Sequence, residues 1–160
     1  MGIYLSLPKV NLHQHLEGSI RPKTFFELAG RYGLEAPVTS IEESEKFLQI
    51  SSSDVNLSDF LVKVDRSLAV SQFPGALTRM AFEAVEDGFT QNVKYLELRF
   101  GPRLHMEKGR TVEESILEVL AGLELAMEKY PITAKLIVCG LRQHSEMENL
   151  ELALIAAKYR

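Results

Sequence analysis

The sequence predicts an α/β fold made of parallel strand-helix units, and three observations carry that prediction. Three short apolar-rich runs, at 9–15, 93–100 and 132–141, have the length of strands rather than helices. Between and after them lie segments whose apolar residues recur at helical spacing. Ser40 with Glu43, Thr111 with Glu114 and Ser145 with Glu148 each stand where a helix should begin, offering a hydroxyl to the first N–H groups and a carboxylate back to the cap.

Taken in order, the first strand is 9–15. Pro22 suits the first turn of a helix carrying Phe25, Phe26, Leu28 and Ala29, which Gly33 should stop. The Ser40 box opens a second helix through Phe47 and Leu48, and a Ser-Ser-Ser-Asp loop at 51–54 separates it from a third at about 58–70. A fourth, about 74–90, places Leu77, Met80, Ala81, Ala84 and Val85 on one face. The connection between the first two strands is therefore long and helical, a segment suited to cover a site as a lid. After the strand at 93–100, the Thr111 box starts a helix through Ile116, Val119, Leu120, Leu123 and Met127 that Pro131 ends. The centre of the third strand, 136–139, is apolar enough to be covered on both faces. A last helix runs from Ser145 towards Arg160.

Parallel units build either a closed eight-stranded barrel or an open doubly wound sheet. The phosphate-cradling Gly-x-Gly-x-x-Gly of many open sheets is absent. Glu97 and Arg99 alternate with Leu96, Leu98 and Phe100, which would aim charge into a barrel interior near the strand's carboxyl end; alternatively the two form a structural ion pair. Arg142 suits a barrel mouth or solvent. Three strands cannot close a barrel without leaving open edges, so the expected fold is the amino-terminal portion of a (β/α)8 TIM-type barrel with a helical insertion between the first two strands. Residues 1–160 would then form the amino-terminal part of a single barrel domain whose carboxyl-terminal part is not in this chain.

Composition narrows the function classes. The net charge is -4, and 18 basic residues are spread among 22 acidic ones, with no basic stripe to track a phosphate backbone, so no nucleic-acid partner is expected. Cys139 is the one cysteine, which rules out an internal disulfide and a C-x-x-C zinc pair; its expected role is a small buried apolar side chain. No apolar run of about 18 residues is present, so no membrane partner is expected and a cytoplasmic location is.

The most chemical stretch is Val-Asn-Leu-His-Gln-His-Leu-Glu-Gly at 10–18. Side chains at i and i+2 of a strand point the same way, with Cα atoms about 6.5 Å apart, so His13 and His15 can converge on one cation. Neutral imidazole is a natural zinc ligand, and a catalytic zinc takes at least three protein ligands, so this is half a metal site. The alternative is a pair of surface imidazoles that simply titrate near neutrality.

The run Leu-Pro-Lys-Val-Asn-Leu-His-Gln-His-Leu-Glu-Gly-Ser-Ile-Arg-Pro, 7–22, closely resembles the amino-terminal signature of the adenosine deaminase family within the metal-dependent amidohydrolases. The resemblance continues through 57–65, through 93–102 (Val-Lys-Tyr-Leu-Glu-Leu-Arg-Phe-Gly-Pro) and through 137–144 with Arg142. It implies zinc-dependent hydrolytic deamination of adenosine, or a related 6-aminopurine, to inosine and ammonia. His13 and His15 would be metal ligands, His15 would also face the purine nucleoside, and Glu17 would occupy the position of the acid that contacts ribose.

That acid is often Asp in nucleoside deaminases. Glu is common in relatives acting on adenine or aminodeoxyfutalosine, and Glu17 could also simply favour the N-terminus of the following helix. Gly18 is expected to supply a turn that a side chain would obstruct. No catalytic residue of the family falls in this chain: the third zinc histidine, the H-x-x-E glutamate, a further histidine and a late aspartate pair are missing. His105 and His144 are followed three positions on by Lys108 and Met147, and neither is expected to join the metal. The carboxyl-terminal half of the same enzyme is thus the expected partner. Two other readings stand beside this one: an amidohydrolase of an amide, lactone or phosphoester, and a half-barrel without turnover.

Overall fold

A computed structural model of the chain describes residues 3–34, 38–52 and 54–159. After a 3-10 turn at Ile3–Leu5 come β1 (Lys9–His15), then α1 (Pro22–Arg31), α2 (Ile41–Leu48), α3 (Leu57–Ser71) and α4 (Ala76–Thr90). β2 (Val93–Phe100), a 3-10 turn at Pro102–His105, α5 (Val112–Lys129), β3 (Thr133–Val138) and α6 (Glu146–Ala156) complete it, with a last turn at Ala157–Tyr159. The three strands form one parallel sheet in the order β1-β2-β3. This is an α/β architecture of the kind a partial barrel requires, with four helices between the first two strands.

Local chemistry accounts for the helix starts. Thr111 and Ser145 each form complete capping boxes with Glu114 and Glu148. At α2 only half the expected box forms: Ser40 accepts the Glu43 N–H at 3.2 Å, while the Glu43 carboxylate takes the N–H of Thr39 at 2.7 Å. Asn56, not singled out from sequence, caps α3 by accepting from Asp59 N–H at 3.0 Å. β3 ends at Val138 rather than at 141, because β2 ends at Phe100 and leaves later residues no ladder partner; Cys139 N–H still reaches Phe100 O at 2.9 Å. The expected helix end at Arg160 lies outside the described residues.

One sheet face is covered and the other is open. Leu96, Leu98 and Phe100 are buried against α4 and α5, which contribute Leu77, Met80, Ile116 and Val119 to the same core. α5 approaches α4 so closely that a Cβ on Gly122 would lie 2.3 Å from Thr78 O and 2.8 Å from the Ala81 Cβ. On the opposite face Tyr95, Glu97 and Arg99 are only partly covered, and Val10 and Leu12 are 63% and 57% exposed. That open face is what a closed barrel would turn inward.

Glu97 and Arg99 do not pair among the described residues. Their side chains point the same way but find other partners: Tyr95 donates its hydroxyl to Glu97 Oε1 at 2.9 Å, and Arg99 turns to His13. Arg142 is exposed, as either a barrel-mouth or a solvated position would be. Cys139 is half-buried rather than buried, with its sulfur 3.6 Å from Arg99 Nη2.

Candidate active site

The carboxyl end of β1 is shaped by a bulge. Asn11 pairs with Leu96 and Gln14 with Leu98, so Leu12 and His13 together oppose the single residue Glu97. Polar side chains on the covered face lock this geometry. Asn11 Oδ1 accepts the His13 N–H at 3.2 Å, Asn11 Nδ2 donates to Gln14 Oε1 at 2.8 Å, and Gln14 Nε2 donates to Ser19 Oγ at 3.1 Å. Ser19 in turn donates to His15 O at 2.6 Å, which closes the turn after the strand.

The two imidazoles emerge on the open face, as their spacing predicts. Their Nε2 atoms lie 3.2 Å apart, with ring centroids separated by 5.2 Å and planes inclined by 46°. Two nitrogens bound to one zinc at about 2.0 to 2.1 Å with a tetrahedral angle sit about 3.4 Å apart, so the pair fits a shared ion. Among the described residues no third His, Cys, Asp or Glu completes a metal-binding group. Arg99 Nη1 lies 3.1 Å from His13 Nδ1 and 3.2 Å from its Nε2, a neighbour that follows from Arg99 standing opposite His15 in the β1-β2 register.

Glu17 is placed differently from its histidine neighbours. It is only 4% exposed, and its Oε1 accepts the Gly101 N–H at 2.8 Å at the end of β2. His105 Nε2 lies 3.6 Å from the same oxygen, and the Glu17 carbonyl accepts from Ser67 Oγ at 2.6 Å. Burial pushes the Glu17 carboxyl pKa up, but His105 and the N–H groups of Gly101 and of Glu17 itself outweigh it and hold the acid below its ordinary value. Gly18 does not serve the purpose expected of it: a Cβ there would meet nothing nearer than His15 O at 4.0 Å.

A cleft of about 480 Å³ opens beside Glu17, bounded by Gly18, Ser19 and Ile20 below and by Leu48, Ile50, Phe60 and Val64 of the helical insertion above. The insertion thus overhangs the end of β1, with the cleft next to Glu17 and not over the histidine pair. Within the overhang, Lys63 of α3 pairs with Asp54 at 2.7 Å and so ties the loop before α3 to that helix.

His105 is the buried neighbour of Glu17 that sequence reasoning missed. It is wholly buried, with Nδ1 2.7 Å from Ser71 Oγ, and its ring stacks at 28° on Phe100 with centroids 5.8 Å apart. Its one sequence signal is a histidine set between Leu104 and Met106, just past the Gly101-Pro102 strand end.

A parallel β/α sheet carrying an H-x-H pair at the carboxyl end of its first strand defines the class of amidohydrolase barrels. Comparison with known proteins bears this out. A model of the adenosine deaminase family matches residues 8–160, and the chain belongs to that family.

An adenosine deaminase of Clostridium perfringens is 42% identical over 141 residues, covering 88% of this chain and 42% of that enzyme. Among solved structures, adenine deaminase of Arthrobacter aurescens superposes with a TM-score of 0.80 at 29% identity, covering 95% of this chain and 46% of that one. A Burkholderia ambifaria amidohydrolase with bound zinc gives 0.81 at 27% identity, covering 98% and 42%. The chain spans less than half the length of each. No helix among the described residues is long and apolar enough to cross a membrane.

Proposed function

We propose that this chain is the amino-terminal part of a zinc-dependent deaminase that, with its carboxyl-terminal half, hydrolyses adenosine to inosine and ammonia. The observation that carries the reading is the 3.2 Å separation of the His13 and His15 Nε2 atoms on the open face of β1, in a chain of this family. His13 and His15 would hold two positions of such a metal, whose chemistry would be to acidify a bound water into the neutral range as the nucleophile for C6, with the proton given up going to the amino nitrogen that leaves as ammonia. His15, nearer the strand end, also faces the purine. Glu17, at the floor of the cleft, binds substrate. The remaining ligands and the general acid/base come from the other half, which docks on the exposed Val10 and Leu12 face. The lone cysteine and acidic net charge suit a cytoplasmic enzyme with neither nucleic acid nor membrane as partner.

A second reading, deamination of free adenine, has its own support. Glu17 stands where ribose-contacting relatives often have Asp, its Oε1 already accepts Gly101 N–H, and the Arthrobacter aurescens neighbour is an adenine deaminase. The complete enzyme, purified with its metal counted, should be assayed by ultraviolet absorbance on adenosine, deoxyadenosine and adenine. A higher kcat/KM for adenine overturns adenosine in favour of the free base. Turnover of neither purine, with an amide, lactone or phosphoester cleaved instead, overturns deamination.

A further inference from the structure

We propose that His105 is a positioning residue for Glu17: held by Ser71, it fixes the carboxylate so that Oε1 is engaged by the protein and Oε2 is presented to substrate. This rests on the reading of Glu17 as a substrate-binding residue. Three elements converge on the arrangement: the turn after β1, the turn after β2, and α3, where Ser67 and Ser71 lie on one face four residues apart.

His105 is held as a component and not as filler. Ser71 Oγ lies 2.7 Å from its Nδ1, and Arg110 Nη1 donates to its carbonyl at 3.2 Å. Gln72 clamps the same turn, donating to Leu104 O at 2.7 Å and accepting Glu107 N–H at 3.0 Å. Yet His105 Nε2 is fully buried without a hydrogen-bond partner, facing Glu17 Oε1 at 3.6 Å. Buried polar atoms are rarely left so, and each case asks for a reason.

The proton count supplies one. Ser71 has a single hydroxyl proton and two acceptors in reach, His105 Nδ1 at 2.7 Å and Leu68 O at 2.9 Å. If it goes to Leu68, the neutral ring protonates Nδ1 and turns a bare Nε2 lone pair toward a buried carboxylate. If it goes to His105, Nε2 carries the proton and its N–H dipole points at Oε1, an attraction strengthened by the low local dielectric. The separation exceeds hydrogen-bond length, so His105 orients Glu17 electrostatically while Gly101 N–H makes the direct bond.

The test uses the complete enzyme with adenosine and adenine as substrates. His105→Ala should raise KM for adenosine roughly tenfold relative to adenine, as expected when a buried carboxylate loses its orienting partner. His105→Gln, which keeps an N–H near the Nε2 position, should recover most of that loss, and Ser71→Ala should shift KM in the same direction. Combining His105→Ala with Glu17→Ala should be no worse for adenosine than Glu17→Ala alone.

Equal losses for both substrates, or additive effects in the double variant, overturn the proposal. Should the wild-type enzyme act on neither purine, the substrate reading fails separately, and nitrogen-15 spectra of the histidines decide. The proposal requires a His105 protonated on Nε2 whose resonance moves in Glu17→Gln. A proton on Nδ1, or no response to that substitution, overturns it.

Discussion

Glu17 Oε1 accepts the Gly101 N–H at 2.8 Å, so a side chain just past β1 closes the end of β2 across 84 residues of sequence. Both groups are buried, and the bond is charge-assisted. Glu17→Ala leaves the Gly101 N–H without its acceptor and should lower unfolding free energy by about 1 to 3 kcal/mol. Glu17→Gln, whose amide oxygen still accepts, should lose less. Urea melts of the complete enzyme rank the two, and an Ala variant as stable as wild type would show that this closure contributes nothing.

The histidine pair makes a compositional prediction. If the two Nε2 atoms share one ion, His13→Ala and His15→Ala should each strip the complete enzyme of most of its zinc, because each removes one ligand from a site with few. Elemental analysis after gel filtration reads this directly. Full zinc occupancy in both variants would place the ion elsewhere.

Gly122 is fixed by packing and not by backbone conformation. A Cβ at this position would lie 2.3 Å from Thr78 O, a backbone atom that cannot step aside without moving α4. Gly122→Ala should therefore cost about 1 to 3 kcal/mol through overpacking, despite alanine's better helix propensity. Thermal unfolding measures it, and a raised Tm would mean that the two helices separate freely.

Asp54 makes the fastening of the loop before α3 acid-sensitive. Lys63, first, and the Ser51 N–H hold its carboxyl at about 2, below an ordinary value of 3.8. A carboxylate depressed in the folded state contributes fully above 3.8 and loses that contribution as pH falls toward 2, since the loosened segment binds the proton more readily. Hydrogen-exchange protection at the amino-terminal end of α3, taken relative to the intrinsic rate at each pH, should thus fall between about pH 4 and 2, and Asp54→Asn should be weakly protected throughout. Equal protection in the two proteins across that range would remove Asp54 as the fastening.

What was legible in the sequence was what is local. The Thr111 and Ser145 boxes lie within a single turn of chain, and the two histidines share a face because strand geometry demands it. The bulge at Leu12 and His13 is not local: two residues oppose one only because β1 and β2 align Asn11 with Leu96 and Gln14 with Leu98. The same pairing brings Arg99 to His13 instead of to Glu97. Glu17 meets His105 through three separate elements, so no spacing in the chain announces it. Gly18 shows the converse, a glycine whose surroundings leave room for a side chain.

The chain by itself should not deaminate. His13 and His15 supply two nitrogens, no third ligand joins them among the described residues, and neither His105 nor His144 begins the H-x-x-E that would furnish the general acid/base. Two ligands on an open face leave an ion exposed to solvent and to competition from chelators, so isolated residues 1–160 should also hold zinc weakly. Val10 and Leu12, exposed on the same face, predict that the isolated chain self-associates through this surface. Adding the carboxyl-terminal half should suppress self-association and restore zinc and activity together, because one docking event covers the apolar face and completes the ligand set. A mass-verified 160-residue chain that converts adenosine to inosine at enzymatic rates would show that the chemistry needs nothing beyond β1 to α6.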